Sequence, residues 1–270
     1  MNTERCNCSG LARNVAVTIM SACVAAGIYV TATPGPDVPK ERLSEPAWAA
    51  RHEKLLKAPD RAQAKLVIVG DSIVQLLEWD QAVWDSCFGA YHPLDLGITG
   101  DTTANVLWRV DNGELDGLSP AVVAVIVGTN NTRKSNIARW STSETSSAIV
   151  DVVQAIHRKL PSAHIIVASI LPTGQWGWKE RKDAKINNLV AIGLGSGQYD
   201  YAIWIDLTRR FRQKDGKLDA SLYLDQPGQV HLSERGDIVL AQALLEGMGR
   251  YLPSDSGHSQ LRHSCFKADG

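Results

Sequence analysis

Lys65-Leu66-Val67-Ile68-Val69-Gly70-Asp71-Ser72-Ile73 is where the chain changes its hydrophobic period. Residues 66–69 form an unbroken apolar run rich in β-branched side chains, long enough for one strand buried on both faces. Gly70 ends the run. Beyond Asp71-Ser72 the apolar residues Ile73, Leu76 and Leu77 fall at helical spacing. A strand running straight into a helix puts Ser72 at the carboxyl end of a parallel strand and at a helix N-terminus, where α/β sheets hold their ligands. The same pattern also suits a serine that only caps its helix. What else reaches that edge decides between the two.

Outward from this stretch the alternation repeats. Upstream, residues 46–57 have helical spacing (Trp48, His52, Leu55, Leu56) and are expected to pack a leading helix on the domain. Downstream, residues 91–96 read as a weaker strand ending in Gly97-Ile98-Thr99-Gly100-Asp101, then a helix with Val106, Leu107 and Val110 on one side. Residues 121–127 are the plainest buried strand and end in Gly128-Thr129-Asn130-Asn131. An amphipathic helix over 143–160 stops at Pro161, and a fourth strand over 164–169 leads into an irregular loop over 171–177. A helix over 181–194, a fifth strand over 201–207 and a last helix over 233–251, capped by Ser233, complete the core. Strands alternating with helices predict a parallel sheet of about five strands with helices on both faces. The loops holding Ser72, Gly100 and Asn130 then converge on one edge.

Those residue types suit acyl transfer, which needs a nucleophile, a base and donors for the oxyanion. Ser72 can supply the nucleophile. The N–H groups of Ser72 and Gly100 and the side-chain amide of Asn130 can supply the donors. His231, in Gly228-Gln229-Val230-His231-Leu232-Ser233 before the last helix, is the candidate base.

Gly-Asp-Ser at 70–72, Gly-Ile-Thr-Gly-Asp at 97–101, Gly-Thr-Asn-Asn at 128–131 and His-Leu-Ser at 231–233 resemble the four blocks of the SGNH (GDSL-like) hydrolases. The branch most resembled is that of the catalytic subunits of intracellular platelet-activating-factor acetylhydrolase. Val106-Leu107-Trp108-Arg109, Asn112-Gly113-Glu114-Leu115 and Leu171-Pro172-Thr173-Gly174-Gln175 look like that branch too. Four blocks in order are a far stronger signal than any one. The resemblance covers residues 46–251. It implies a flavodoxin-like three-layer α/β/α fold and cofactor-free, metal-free hydrolysis of a short-acyl ester through an acyl-serine. Ser72 would be the nucleophile, His231 the base, and Ser72, Gly100 and Asn130 the oxyanion hole, with Asp71 holding the turn. The family's usual carboxylate, three residues before the histidine, is here Gly228. Asp225 is the expected substitute if Gln226-Pro227-Gly228 loops out; a backbone carbonyl in a Ser-His dyad is the alternative. Ile73 and Val230, branched neighbours of the two catalytic residues, are expected to narrow the acyl side. The acylated substrate could be a glycan, a lipid or a small ester; a catalytically weak relative that binds an ester, a glycan or a partner chain, or an O-acyltransferase, is the alternative.

Composition sets the remaining bounds. Hydrophobic content of 44% and charged content of 21% describe a globular chain. A net charge of -1 leaves no basic excess for nucleic acid. Arg5 and Arg13 precede an uncharged apolar stretch over 15–30, so residues 1–33 read as a secretory signal or an N-terminal membrane anchor, and the chain as exported. Residues 34–45 are expected to be a linker, 46–252 the hydrolase domain and 253–270 a loose polar tail. Outside the leader only Cys87 and Cys265 remain; an oxidising compartment permits them to pair, while Cys87 also suits a small buried residue. His52, His92, His157 and His164 are expected to be surface or packing residues. Gly193, Gly195 and Gly197 follow a helix, not a strand, and read as its cap and turn. Trp176 and Trp178 either line a sugar or acyl site or pack their loop down.

Overall fold

The computed structural model describes residues 33–249, 251, 252 and 265. The expected leader, and all of the expected tail except Cys265, lie outside the described residues. Five strands form one parallel sheet: β1 (Leu66–Gly70), β2 (Pro93–Gly97), β3 (Val122–Ile126), β4 (His164–Ala168) and β5 (Ala202–Ile205). Their order is β2-β1-β3-β4-β5. Every pairing is parallel, with Leu66 opposite both Pro93 and Val122. The chain leaves β1 toward β2 and then crosses back to β3, so the topological switch point falls at the carboxyl end of β1. That is where Ser72 begins the next helix.

Seven α-helices are present among the described residues: α1 (Pro46–Leu56), α2 (Ser72–Trp79), α3 (Gln81–Phe88), α4 (Thr103–Asp111), α5 (Thr142–Lys159), α6 (Gly177–Leu194) and α7 (Glu234–Met248). The strand period of two sorts them into layers. Val67, Val69, Val123, Val125, Ile165 and Val167 face one core, built with α1, α4, α5 and α6. Leu66, Ile68, Val122, Ala124, Ile166 and Ala168 face the other, built with α2, α3 and α7. The result is the expected three-layer α/β/α arrangement.

Local departures from the sequence expectation have local causes. α3 is absent from the sequence expectation; Asp80 starts it by accepting a hydrogen bond from the Val83 N–H at 3.3 Å. α6 begins at Gly177, earlier than residue 181, because the Trp176 carbonyl accepts the Lys179 N–H at 2.8 Å. Residues 35–45 are bonded to the α4 corner. The Thr103 hydroxyl donates to the Pro36 carbonyl (2.7 Å), and the Lys40 N–H to the Ala104 carbonyl (2.9 Å). Cys87 and Cys265 form a disulfide with their Cα atoms 4.8 Å apart, and both side chains are buried in the α3–α7 core. His157 stacks on Tyr201 and His164 on Tyr251, so both pack as expected. Gly195 caps α6, and Gly197 takes a positive φ in the turn beyond it.

Candidate active site

Ser72 is the first residue of α2, directly after β1, and is 5% exposed. Its N–H has no acceptor within the helix and lies at the positive end of the helix dipole. Asp71 caps the helix, its Oδ1 accepting the Ile73 N–H at 3.0 Å. The adjoining loop is held against the same turn, since Gln75 Oε1 accepts both the Thr99 N–H (2.8 Å) and the Thr99 hydroxyl (3.0 Å).

That loop is a tight turn closed by the Asp101 N–H on the Ile98 carbonyl. Gly100 occupies its third position at φ +82°, where a type II turn needs glycine. Its N–H donates to no described residue. Asp101 then anchors the turn. Its Oδ1 accepts from Trp48 Nε1 (2.6 Å) and Arg42 Nη1 (2.9 Å), and its Oδ2 from Arg109 Nε (2.8 Å). Arg109 is fully buried and also donates to the Leu96 and Gly70 carbonyls, each at 3.0 Å, and to Glu114. One guanidinium thus ties the end of β1 to the end of β2. The carboxylates of Asp101 and Glu114 keep it charged despite its burial.

Asn130 lies between these two loops. Its Nδ2 donates to the Asp101 carbonyl at 3.0 Å and to Asp71 Oδ2 at 3.3 Å. The neighbours of Asn130 are all fastened. Thr129 Oγ1 accepts from Lys179 Nζ (3.2 Å), and the Thr132 hydroxyl donates to Asp183 Oδ1 (2.6 Å). Lys179 and Asp183, one turn apart on α6, pair at 2.5 Å with side chains 1% and 6% exposed. Asn131 bonds Thr103 through both ends of its amide, and Asn136 Nδ2 holds the Asn130 carbonyl at 2.8 Å.

His231 approaches from the opposite side, with Nε2 3.0 Å from Ser72 Oγ. The structure therefore brings Ser72 and His231 into direct contact, and sets Asn130 between Asp71 and Asp101. It does not bring Asp225 to the histidine. Asp225 is exposed and makes no hydrogen bond among the described residues; nor does the second ring nitrogen of His231. The loop itself is the reason. The Leu224 N–H bonds the His231 carbonyl, and within this closure the Gln226 N–H turns back to Leu224 and the Gln229 N–H to Gln226. Gly228 and Gln229 are both left-handed, φ +87° and +40°. A Cβ at Gly228 would meet Gln175 Cγ at 3.0 Å. Ile73 packs into the α2-side core at 3% exposure, and Val230 is half-buried beside His231.

A family model described as the GDSL-like Lipase/Acylhydrolase family matches residues 68–237, from β1 through the start of α7. The chain belongs to that family. This acylhydrolase is a carboxylic ester hydrolase. It is 33% identical over 211 residues to platelet-activating factor acetylhydrolase IB subunit alpha1 of Rattus norvegicus, covering 78% of this chain and 86% of that protein. The alpha2 subunit of Homo sapiens is 36% identical over 160 residues, 59% of this chain and 67% of that one. Among solved structures, a GDSL-like lipase from Bacteroides thetaiotaomicron superposes with a TM-score of 0.58 at 19% identity, covering 76% of this chain and 97% of the other. A catalytic mutant of Axe2, an acetylxylan esterase from Geobacillus stearothermophilus, gives 0.55 at 15%, covering 72% and 98%. At these identities the two structures speak for the fold alone.

Burial sets the electrostatics of the acylhydrolase site. Loss of hydration pushes Asp71 up to about 7, against the opposing hydrogen bond from the Ile73 N–H. Half-burial pushes His231 below the ordinary histidine value, with no carboxylate beside it to push back. The residues that sequence reasoning missed are Lys179 and Asp183. Their i, i+4 spacing signals a helical ion pair, but an ordinary pair of that kind is solvated, and nothing local announces burial.

Proposed function

We propose that this acylhydrolase removes a short, acetyl-like group from an O-acylated substrate through an acyl-serine. The observation that carries the proposal is the 3.0 Å approach of His231 Nε2 to Ser72 Oγ at a helix N-terminus. Neutral His231 takes the Ser72 proton as Oγ adds to the ester carbonyl. The new oxyanion is met by the N–H groups of Ser72 and Gly100 and by the Asn130 amide. Asn130 gives up its longer bond, to Asp71, for this. Protonated His231 returns the proton to the leaving alcohol, and water repeats the sequence to release the acid.

The short acyl group is supported by the acetylhydrolase relatives and by Val230 flanking His231. An O-acylated glycan is the acceptor class favoured here, on the stacked Trp176–Trp178 pair whose loop touches the His231 loop. Export is part of the proposal and draws support from the Cys87–Cys265 disulfide, a bond that reducing compartments disfavour. A second reading, a binding protein with little turnover, is favoured by the single feature of a His231 without a carboxylate. Fluorophosphonate labelling separates the two. Covalent labelling of the parent and none of Ser72→Ala is the expected result; an unlabelled parent would overturn the esterase reading.

A further inference from the structure

A groove of about 640 Å³ runs between residues 137–144 and helix α6. Four cations line it: Arg139, Arg181, Lys182 and Lys185. Trp178, Arg181, Lys182 and Lys185 recur at helical spacing and form one stripe of α6. Lys182 is structural, its Nζ donating to the Ile137 carbonyl at 2.7 Å and to the Trp140 carbonyl. The only carboxylate in the lining, Glu144, is committed to capping α5 through the Ser141 N–H at 2.7 Å. Arg181 and Lys185 are exposed and form no ion pair among the described residues. Arg139 lies over the Trp140 ring at 5.3 Å. In a chain of net charge -1 this is a local concentration of positive charge, not a general basicity.

Aromatic rings adjoin the groove. Trp178 stacks nearly parallel on Trp176, centroids 5.2 Å apart, and Lys134 Nζ is 5.3 Å from the Trp176 ring. Trp176 is 49% exposed. Both walls are continuations of the loops that build the site. Residue 137 follows Asn136, which holds the Asn130 carbonyl, and the Trp176 loop bonds the His231 loop through the Gly174 N–H and the Gln229 carbonyl.

We propose that this groove binds the chain of an acidic glycan. Uronate-type carboxylates pair with Arg139, Arg181 and Lys185, sugar faces stack on the indoles, and the ester lies at Ser72. The inference rests on the glycan-ester reading above and narrows its substrate class. Guanidinium groups suit carboxylates, which they engage through two parallel donors. A neutral glycan has no use for the cations. The groove is open to solvent, so an anionic bilayer is the competing occupant, and the test includes it.

The test is a binding titration of Ser72→Ala followed by tryptophan fluorescence, with tetragalacturonate, xylotetraose and phosphatidylglycerol vesicles as probes. Expected is saturable quenching by tetragalacturonate that weakens about tenfold or more between low and high salt. Xylotetraose binds at least about tenfold more weakly, and Arg181→Ala/Lys185→Ala with an unchanged melting temperature loses about tenfold toward tetragalacturonate. The proposal is overturned by equal affinity for xylotetraose, by no loss in the double variant, by no binding, or by capture on vesicles alone. The readout needs no turnover, so its failure leaves the esterase reading standing. Failure of fluorophosphonate labelling likewise leaves the groove's affinity to be read.

Discussion

Asn130 and His231 reach Ser72 from two sides, and their backbones are held in opposite ways. Around Asn130, buried charge does the fastening: Arg109 between Asp101 and Glu114, and the Lys179–Asp183 pair gripping Thr129 and Thr132. Around His231 no charge is used at all. Residues 224–231 close on their own backbone, pass through two left-handed residues and leave Asp225 in solvent. The difference follows from what each group must do. An oxyanion donor works only if it is already in place when the charge develops, because reorganising it then would cost what it contributes. A base needs its ring nitrogen at the serine and a proton vacancy, which half-burial favours by lowering the histidine pKa.

The most damaging way to break the contrast is to remove the well-held donor. Asn130→Ala is expected to lower kcat about 100- to 1000-fold on a p-nitrophenyl ester, with KM little changed. A loss under about tenfold would mean that the fastened half is scaffolding and not part of the oxyanion hole.

Next in size is the brace beneath it. Replacing the buried pair with apolar residues, Lys179→Met/Asp183→Leu, removes both charges together and so leaves no orphaned ion. The expected result is a stable fold with kcat reduced about tenfold, a coupling of about 1.4 kcal/mol acting through Asn130. The Asn130→Ala background tests that route, because there the pair's replacement should cost almost nothing further. Equal losses in both backgrounds would make the pair a purely structural element.

A smaller effect sharpens the other half. His231 must be neutral to take the Ser72 proton, so kcat/KM falls as pH falls through its pKa. Burial lowers that pKa and no carboxylate raises it, which places the acid limb below the ordinary histidine value of about 6.5. Asp71, pushed up to about 7, titrates in the same region. Asp71→Asn separates the two, since a limb owned by His231 survives that substitution. An acid limb above about 7 in both proteins would put a carboxylate against the ring after all.

Much of the well-held half could be read from the sequence, because its signals are local. β-branched runs end in glycine at 70 and 128, the weaker strand between them ends at Gly97, and Gly100 sits where a turn demands it. The braces were not legible. Arg109 lies one residue from Val110 on a helix that already buries Val106 and Leu107, and only the tertiary fold shows that its guanidinium goes inward. The Cys87–Cys265 pairing spans 178 residues, a separation at which sequence says nothing about distance. The His231 loop departs from the sequence expectation for a further reason. Pro227-Gly228 marks a turn, but left-handed Gln229 has no signature, and the turn leaves Asp225 exposed and without a hydrogen bond to the ring.

The smallest expected effect therefore belongs to Asp225. An aspartate that orients the catalytic imidazole and balances its charge is worth about 10⁴ in kcat in the chymotrypsin-type triad. Asp225 makes no contact through which either service could be delivered, so Asp225→Ala should leave kcat within about twofold of the parent, the range of an ordinary surface change. The family's usual position offers no simple repair. At φ +87° Gly228 sits where L-residues are strained, and any Cβ must displace Gln175. Gly228→Asp is thus expected to lower the melting temperature without raising kcat, whereas in a right-handed loop it would rebuild a triad. The pair of variants reads the loop itself. A fall of about 100-fold in Asp225→Ala would mean that the loop inverts during turnover and carries Asp225 to the ring. A gain of activity in Gly228→Asp would mean that the left-handed turn is only one of its states. Unchanged kcat in the first and a lower melting temperature in the second leave Ser72 and His231 working as a dyad, the imidazole placed by the backbone of residues 224–231.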